Sequence, residues 1–138
     1  MAKLAFLVTT GIFSGTAPAA GKHFTGVFEG TGRACSGALH VRSKTIEWTS
    51  AFSVCKPTRY DVLERHMEHG RERIVFRLRQ PSSHCLYPVV EVAHASGYQW
   101  SVNGYQSQES FDKKDLPDWS NSPLHERQIL SCWMTGPN

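Results

Sequence analysis

The chain of 138 residues contains no apolar run of the roughly twenty residues that a membrane-crossing helix requires. It also has little charge of either sign in excess. Fifteen Lys and Arg against twelve Asp and Glu give a formal +3, too mild a surplus to imply nucleic acid as a partner. No two of the four cysteines form the close C-x-x-C pair on which structural zinc sites are built, which argues against a metal. There is no G-x-S-x-G elbow to present a nucleophilic serine. Apolar residues almost never recur at i, i+3, i+4 and i+7, so helices are not expected to build the core. Internal repeats, low-complexity tracts and domain boundaries are missing too, which leaves one small domain with a modest core.

The N-terminus carries a leader pattern. Lys3 gives a positive start, Leu4 to Phe13 an apolar stretch, and Ala17-Pro18-Ala19 the small residues that a signal peptidase needs. Residues 1–20 therefore read as a signal peptide cleaved after Ala19 or Ala20, and 21–138 as a single β domain. No cysteine follows the leader to take a lipid, so the expected location is the periplasm or the medium. Cys35, Cys55, Cys85 and Cys132 all fall in the mature part, and an even count in a small exported chain implies disulfides. Cys35 and Cys55 flank a segment that reads as a hairpin, so Cys35–Cys55 and Cys85–Cys132 are the expected pairs.

Short apolar alternation broken by turn residues is the dominant pattern, and it predicts strands over 24–30, 37–42, 44–50, 59–66, 72–79, 85–93, 98–106 and 128–134. Seven or eight sequential strands suggest an all-β, antiparallel up-and-down barrel or a curled sandwich with two disulfides, since closure removes exposed edges. In the central hairpin, Tyr60 and Val62 should share a buried face with Phe76 and Leu78. Pairing Val62 with Phe76 leaves a three-residue loop, Glu68-His69-Gly70, with Arg77 opposite Asp61 and His66 opposite Glu72. Asn103-Gly104 and Ser96-Gly97 compete as turn signals, one of them a glycine bulge. The polar stretch 107–126 reads as a long loop or one irregular helical turn.

Catalytic patterns are thin. His66-Met67-Glu68-His69 falls on a strand end and turn, where the two rings diverge instead of sharing a helix face, so it reads as a solvated turn. His23, His40, His84, His94 and His125 have no partner spacing. Asp112, Asp115 and Asp118 lie in the polar loop without an apolar pocket to shift a pKa. No catalytic residue, metal ligand or cofactor is assigned.

Binding has better candidates. Arg71, Arg73, Arg77 and Arg79 alternate onto one face of a single strand, which reads either as a receptor for an acidic protein, a polyanionic glycan or a phosphate, or as a solvated face balanced by Asp61. Trp48, Trp100 and Trp133 are expected in the core. Trp119, beside Asp118 and bracketed by Pro117 and Pro123, is either a binding anchor or a plug for an open barrel end.

In leader, size, disulfide content and strand number the chain resembles the small exported β-barrel inhibitors and accessory proteins of Gram-negative envelopes, such as periplasmic lysozyme inhibitors. The resemblance extends to the overall plan and to no motif. It implies a non-enzymatic envelope binding module, an inhibitor among its forms, meeting a protein or glycan through the 107–126 loop or the arginine face. The alternatives are a carrier with a small apolar ligand inside the barrel, which needs an interior not filled by Trp48, Trp100, Trp133, Phe28 and Phe76, and an envelope hydrolase, which needs a cleft with convergent His, Ser or carboxylate groups.

Overall fold

The computed structural model describes residues 22–123 and 129–138, so the expected signal peptide, His125 and the predicted strand start at Gln128 lie outside the described residues. Eight antiparallel strands close into a barrel in sequence order: β1 (Gly26–Gly30), β2 (Gly37–Val41), β3 (Thr45–Thr49), β4 (Val54–Glu68), β5 (Arg71–Leu78), β6 (Val89–Ser96), β7 (Gln99–Tyr105) and β8 (Ile129–Thr135). Each predicted strand is present, the longest difference being β4, which begins five residues before the predicted 59. Closure rests on a short seam in which only Glu29 and Gly30 of β1 pair with Thr135 and Met134 of β8, whereas β7 and β8 pair over their whole length.

The period-2 pattern sends alternate side chains into the barrel. Phe28, Leu39, Ile46, Trp48, Ile74, Phe76, Val90, Val92, Trp100, Val102 and Met134 fill it as one continuous cluster. Phe24, just before β1, closes one end by packing against Phe28, Phe76 and Trp100 with ring centroids 5.8–5.9 Å apart. At the Asn103-Gly104 position the chain does not turn. Gly104 lies inside β7, opposite Val90 and Leu130, and a Cβ there would come within 2.7 Å of the Trp48 and Tyr87 rings. The glycine is thus required by close side-chain approach, and the reversal falls at Gly97-Tyr98, between β6 and β7.

Four expectations are corrected. The disulfides join Cys35 to Cys132 and Cys55 to Cys85. Cys35 and Cys55 do flank the β2–β3 hairpin, but the interior pairs Leu39↔Trp48 and Trp48↔Cys55 put two strands between them. Barrel closure instead lays the β1–β2 loop against β8, a contact between chain ends that local spacing does not record. Trp133 points outward and is 62% exposed, because its neighbours Cys132 and Met134 take the two inward positions. Val62 is 49% exposed at the barrel mouth even though it pairs with Phe76.

The last correction concerns the central hairpin. Val62↔Phe76 and Asp61↔Arg77 pair as expected, but a bulge at Leu63 shifts the register by one, so His66 faces Arg73 and Glu72 faces Met67. The loop shrinks to His69-Gly70, and both residues adopt positive φ (50° and 75°), the conformation of a two-residue type I′ turn. After β7 the chain forms two short helices, α1 (Gln108–Asp112), capped by Ser107, and α2 (Pro117–Ser120). Phe111 of α1 seals a second, outer cluster with Val75, Val89 and Tyr105.

Candidate functional site

The bulge at Leu63 determines which β4 residues face outward beyond it. Just before the bulge Thr58, Tyr60 and Val62 take the inward parity; after it, Arg65 pairs with the inward Ile74, and Glu64, His66 and Glu68 move to the outer wall. There they join side chains from four other strands. One cross-strand row runs Glu64, Val75, Glu91, Asn103, Ser131. The next runs His66, Arg73, Ala93, Ser101, Trp133. Lys114 and Asp115, from the segment after α1, border the same face. All of these but Val75, Ala93, Ser101 and Trp133 line, with Tyr105 and Ile129, an open polar cleft of ≈ 710 Å³.

A buried charge network forms its floor. Glu91 is 8% exposed within an otherwise apolar strand. Its Oε2 accepts from Arg73 Nε at 2.9 Å and from Arg73 Nη2, and its Oε1 accepts from Asn103 Nδ2 at 2.9 Å and from the Tyr105 hydroxyl at 3.1 Å. Four donors around one carboxylate satisfy the requirement that a buried charge be paired and hydrogen-bonded. Arg73 Nη1 also donates to Glu64 Oε2 at 2.7 Å, and His66 Nε2 lies 3.8 Å from the same oxygen. The Arg73 hydrogen bond holds the Glu64 carboxyl below its ordinary range. Burial first, and then the Glu91 charge, push the Tyr105 phenol up.

Both groups are therefore fixed in one protonation state. Glu64 stays ionised as an acceptor and Tyr105 stays neutral as a donor, whereas a general acid at neutral pH needs a carboxyl raised toward that pH. What the cleft offers is an array of hydrogen-bonding groups on rigid strands. Oε1 of Glu64, Oδ1 of Asn103 and the hydroxyl of Ser131 have no hydrogen bond to the described residues.

The two surfaces singled out by sequence meet here in part. Arg73, of the arginine stripe, and Lys114 and Asp115, of the 107–126 segment, line one cleft. Arg77 and Arg79 do not. Both close on Asp61, with Arg77 Nη2 at 2.9 Å from Oδ2 and Arg79 Nε at 2.9 Å from Oδ1, and Arg77 also donates to Gln108. The stripe is interrupted at Val75, which is buried under Phe111. Asp118 is exposed on α2, and Trp119 is half-buried beneath Lys113, whose Nζ is 5.9 Å from the ring centroid; neither lines the cleft. Trp119 is also not among the side chains packed against either apolar cluster of the barrel.

Sequence reasoning missed Glu64, Glu91, Asn103 and Ser131. A signal for Glu91 was present, because a lone carboxylate inside Val89-Val90-Glu91-Val92-Ala93 must find partners if the strand is buried. Among the described residues no cluster of His, Cys, Asp and Glu is arranged to hold a metal ion, and no helix is long and apolar enough to cross a membrane. No family model, curated protein or solved structure matches the chain.

Proposed function

We propose that this protein is an exported, non-enzymatic binding module that takes a glycan chain along the outer cleft of the barrel. The carrying observation is the set of fixed acceptors and donors, Glu64, Asn103 and Ser131, that stand in one cross-strand row around the Arg73–Glu91 network. Strands lie about 4.8 Å apart, so Asn103 and Ser131 present polar groups at that spacing, and Glu64 three strands from Asn103 gives an extended, hydroxyl-rich ligand a further acceptor. Mixed donors and acceptors suit hydroxyls, which need both. Export fits the two disulfides and the leader pattern. The carrier alternative is disfavoured by the aromatic and aliphatic cluster that fills the barrel. The hydrolase alternative has a cleft with convergent carboxylates, but Glu64 is tied to Arg73 as an ionised acceptor.

The test is co-sedimentation of the oxidised protein with insoluble polysaccharides, namely peptidoglycan sacculi, chitin and cellulose, at low and high salt, with Glu64→Gln beside it. Retention that survives high salt and weakens in Glu64→Gln is expected. Capture that vanishes in high salt would point instead to an ionic partner such as a basic protein segment, and would overturn the glycan reading.

A further inference from the structure

Trp133 is an exposed tryptophan on a rigid strand. Its backbone is fixed by Cys132, disulfide-bonded to Cys35, and by Met134, which is buried in the barrel. An outward position flanked by two anchored neighbours would accept any polar residue, so a 62% exposed indole there covers no core. It faces a shallow groove of ≈ 480 Å³ that it shares with Tyr98, itself 65% exposed in the β6–β7 turn.

The remaining lining side chains are Thr31, Ser96, Gln99, Thr135 and Met134, so none carries a charge. Gln99 pairs with Thr135 and Ser101 pairs with Trp133, which sets an amide and hydroxyls around the indole. Glu29, paired with Thr135 across the seam, is the nearest ionisable group whose position on this side the register gives. The groove also adjoins the polar cleft, because Ser131, two residues before Trp133 on β8, borders that cleft.

From this arrangement we infer that the Trp133–Tyr98 groove is an aromatic subsite for an uncharged pyranose ring, extending the glycan cleft by one position; the inference rests on the glycan reading of that cleft. Two aromatic faces meet the C–H face of a sugar ring, since the negative π surface attracts its polarised C–H bonds. Meanwhile the neutral hydroxyl and amide rim exchanges hydrogen bonds with the ring hydroxyls. Tryptophan and tyrosine supply such contact area at small conformational cost. An anionic ligand would find no cation in this lining.

The experiment titrates the oxidised full chain with chitohexaose, cellohexaose and maltohexaose by calorimetry and by tryptophan fluorescence, using wild type, Trp133→Ala, Trp133→Tyr, Tyr98→Ala and, in the cleft, Glu64→Gln. We expect at least one hexaose to bind wild type with a change in indole emission. Trp133→Ala should weaken it about tenfold or more, Trp133→Tyr should largely restore it, and the thermal midpoint should not move because the indole supports no core. If Glu64→Gln loses affinity while Trp133→Ala and Tyr98→Ala do not, the cleft reading survives and this inference falls. If only the aromatic variants lose affinity, the groove binds a sugar by itself, and both the cleft reading and the subsite as its extension fall. Failure of every hexaose to bind wild type overturns both. Sedimentation is run in parallel, and a dimer that Trp133→Ala dissociates would make the groove a self-interface and overturn the subsite.

Discussion

At the scale of single residues, Glu91 is the most demanding position in the molecule. A carboxylate in an apolar strand is tolerable only because Arg73, Asn103 and Tyr105 all donate to it. Glu91→Ala would leave the half-buried Arg73 charge with Glu64 alone, and breaking a buried pair by removing one partner costs about 3 kcal/mol. Urea denaturation should show this as a lower midpoint with an unchanged slope. Tyr105 imposes a pH dependence on the alkaline side. Its folded pKa is raised above the unfolded value of 10.0, so the stability it contributes is fully present below pH 10 and is lost as pH rises toward the folded value. The thermal midpoint of the wild type should fall above about pH 10, and that of Tyr105→Phe should fall less steeply. Asp61 acts at the other end, since Arg77 and Arg79 lower its pKa. Its contribution is present above the unfolded pKa and disappears as acid carries the pH down through the folded one. The Val62–Phe76 register predicts Arg77 opposite Asp61, and Arg79 reaches the same carboxylate.

Among elements, the β4–β5 hairpin shows how far alternation can be read and where it stops. The Val62↔Phe76 pairing follows from hydrophobic matching, but the bulge at Leu63 has no strong sequence mark, because Val62-Leu63 reads equally well as continuous strand. That one extra residue transfers Glu64, His66 and Glu68 to the outer wall, and with them the β4 side of the cleft. Deleting Leu63 should make Val62↔Phe76 and Glu64↔Val75 consecutive pairs, so that Glu64, His66 and Glu68 keep their outward parity and the cleft is preserved. The variant should keep barrel-type circular dichroism and its retention on polysaccharide, whereas an intact barrel that no longer binds would show that the bulge itself, and not the parity it creates, shapes the cleft. The Trp133 error has the same origin. Strand β8 was located correctly, yet an aromatic within a strand was assigned to the core by type, when its parity relative to Cys132 and Met134 decides its face.

For the molecule as a whole, eight strands of period 2 separated by turn residues made a closed barrel legible, while the disulfide partners were not. Pairing depends on closure, and closure joins residues that are 97 apart in sequence. In the chain-entropy account a cross-link over that separation stabilises by about 4.7 kcal/mol and one over 30 residues by about 3.6 kcal/mol. The two are nested, so their effects do not add. Because the β1–β8 seam has so few pairs, the double variant Cys35→Ser/Cys132→Ser should lose about 3–5 kcal/mol and more than Cys55→Ser/Cys85→Ser. Hydrogen exchange should place its early loss of protection in β1 and β8. Equal losses in both double variants would mean that the seam holds without its cross-link.

The long reach of Cys35 to Cys132 also imposes an order of events on the nascent chain. One edge of β1 has no partner until the last strand has been made and delivered, so for most of the chain's emergence the barrel is an open sheet with a sticky rim. The outer sulfur bond is then the final clasp. Premature oxidation of Cys35 with Cys55 or Cys85, both available sooner, would trap the sheet open, so correct maturation depends on thiol reshuffling as much as on thiol oxidation.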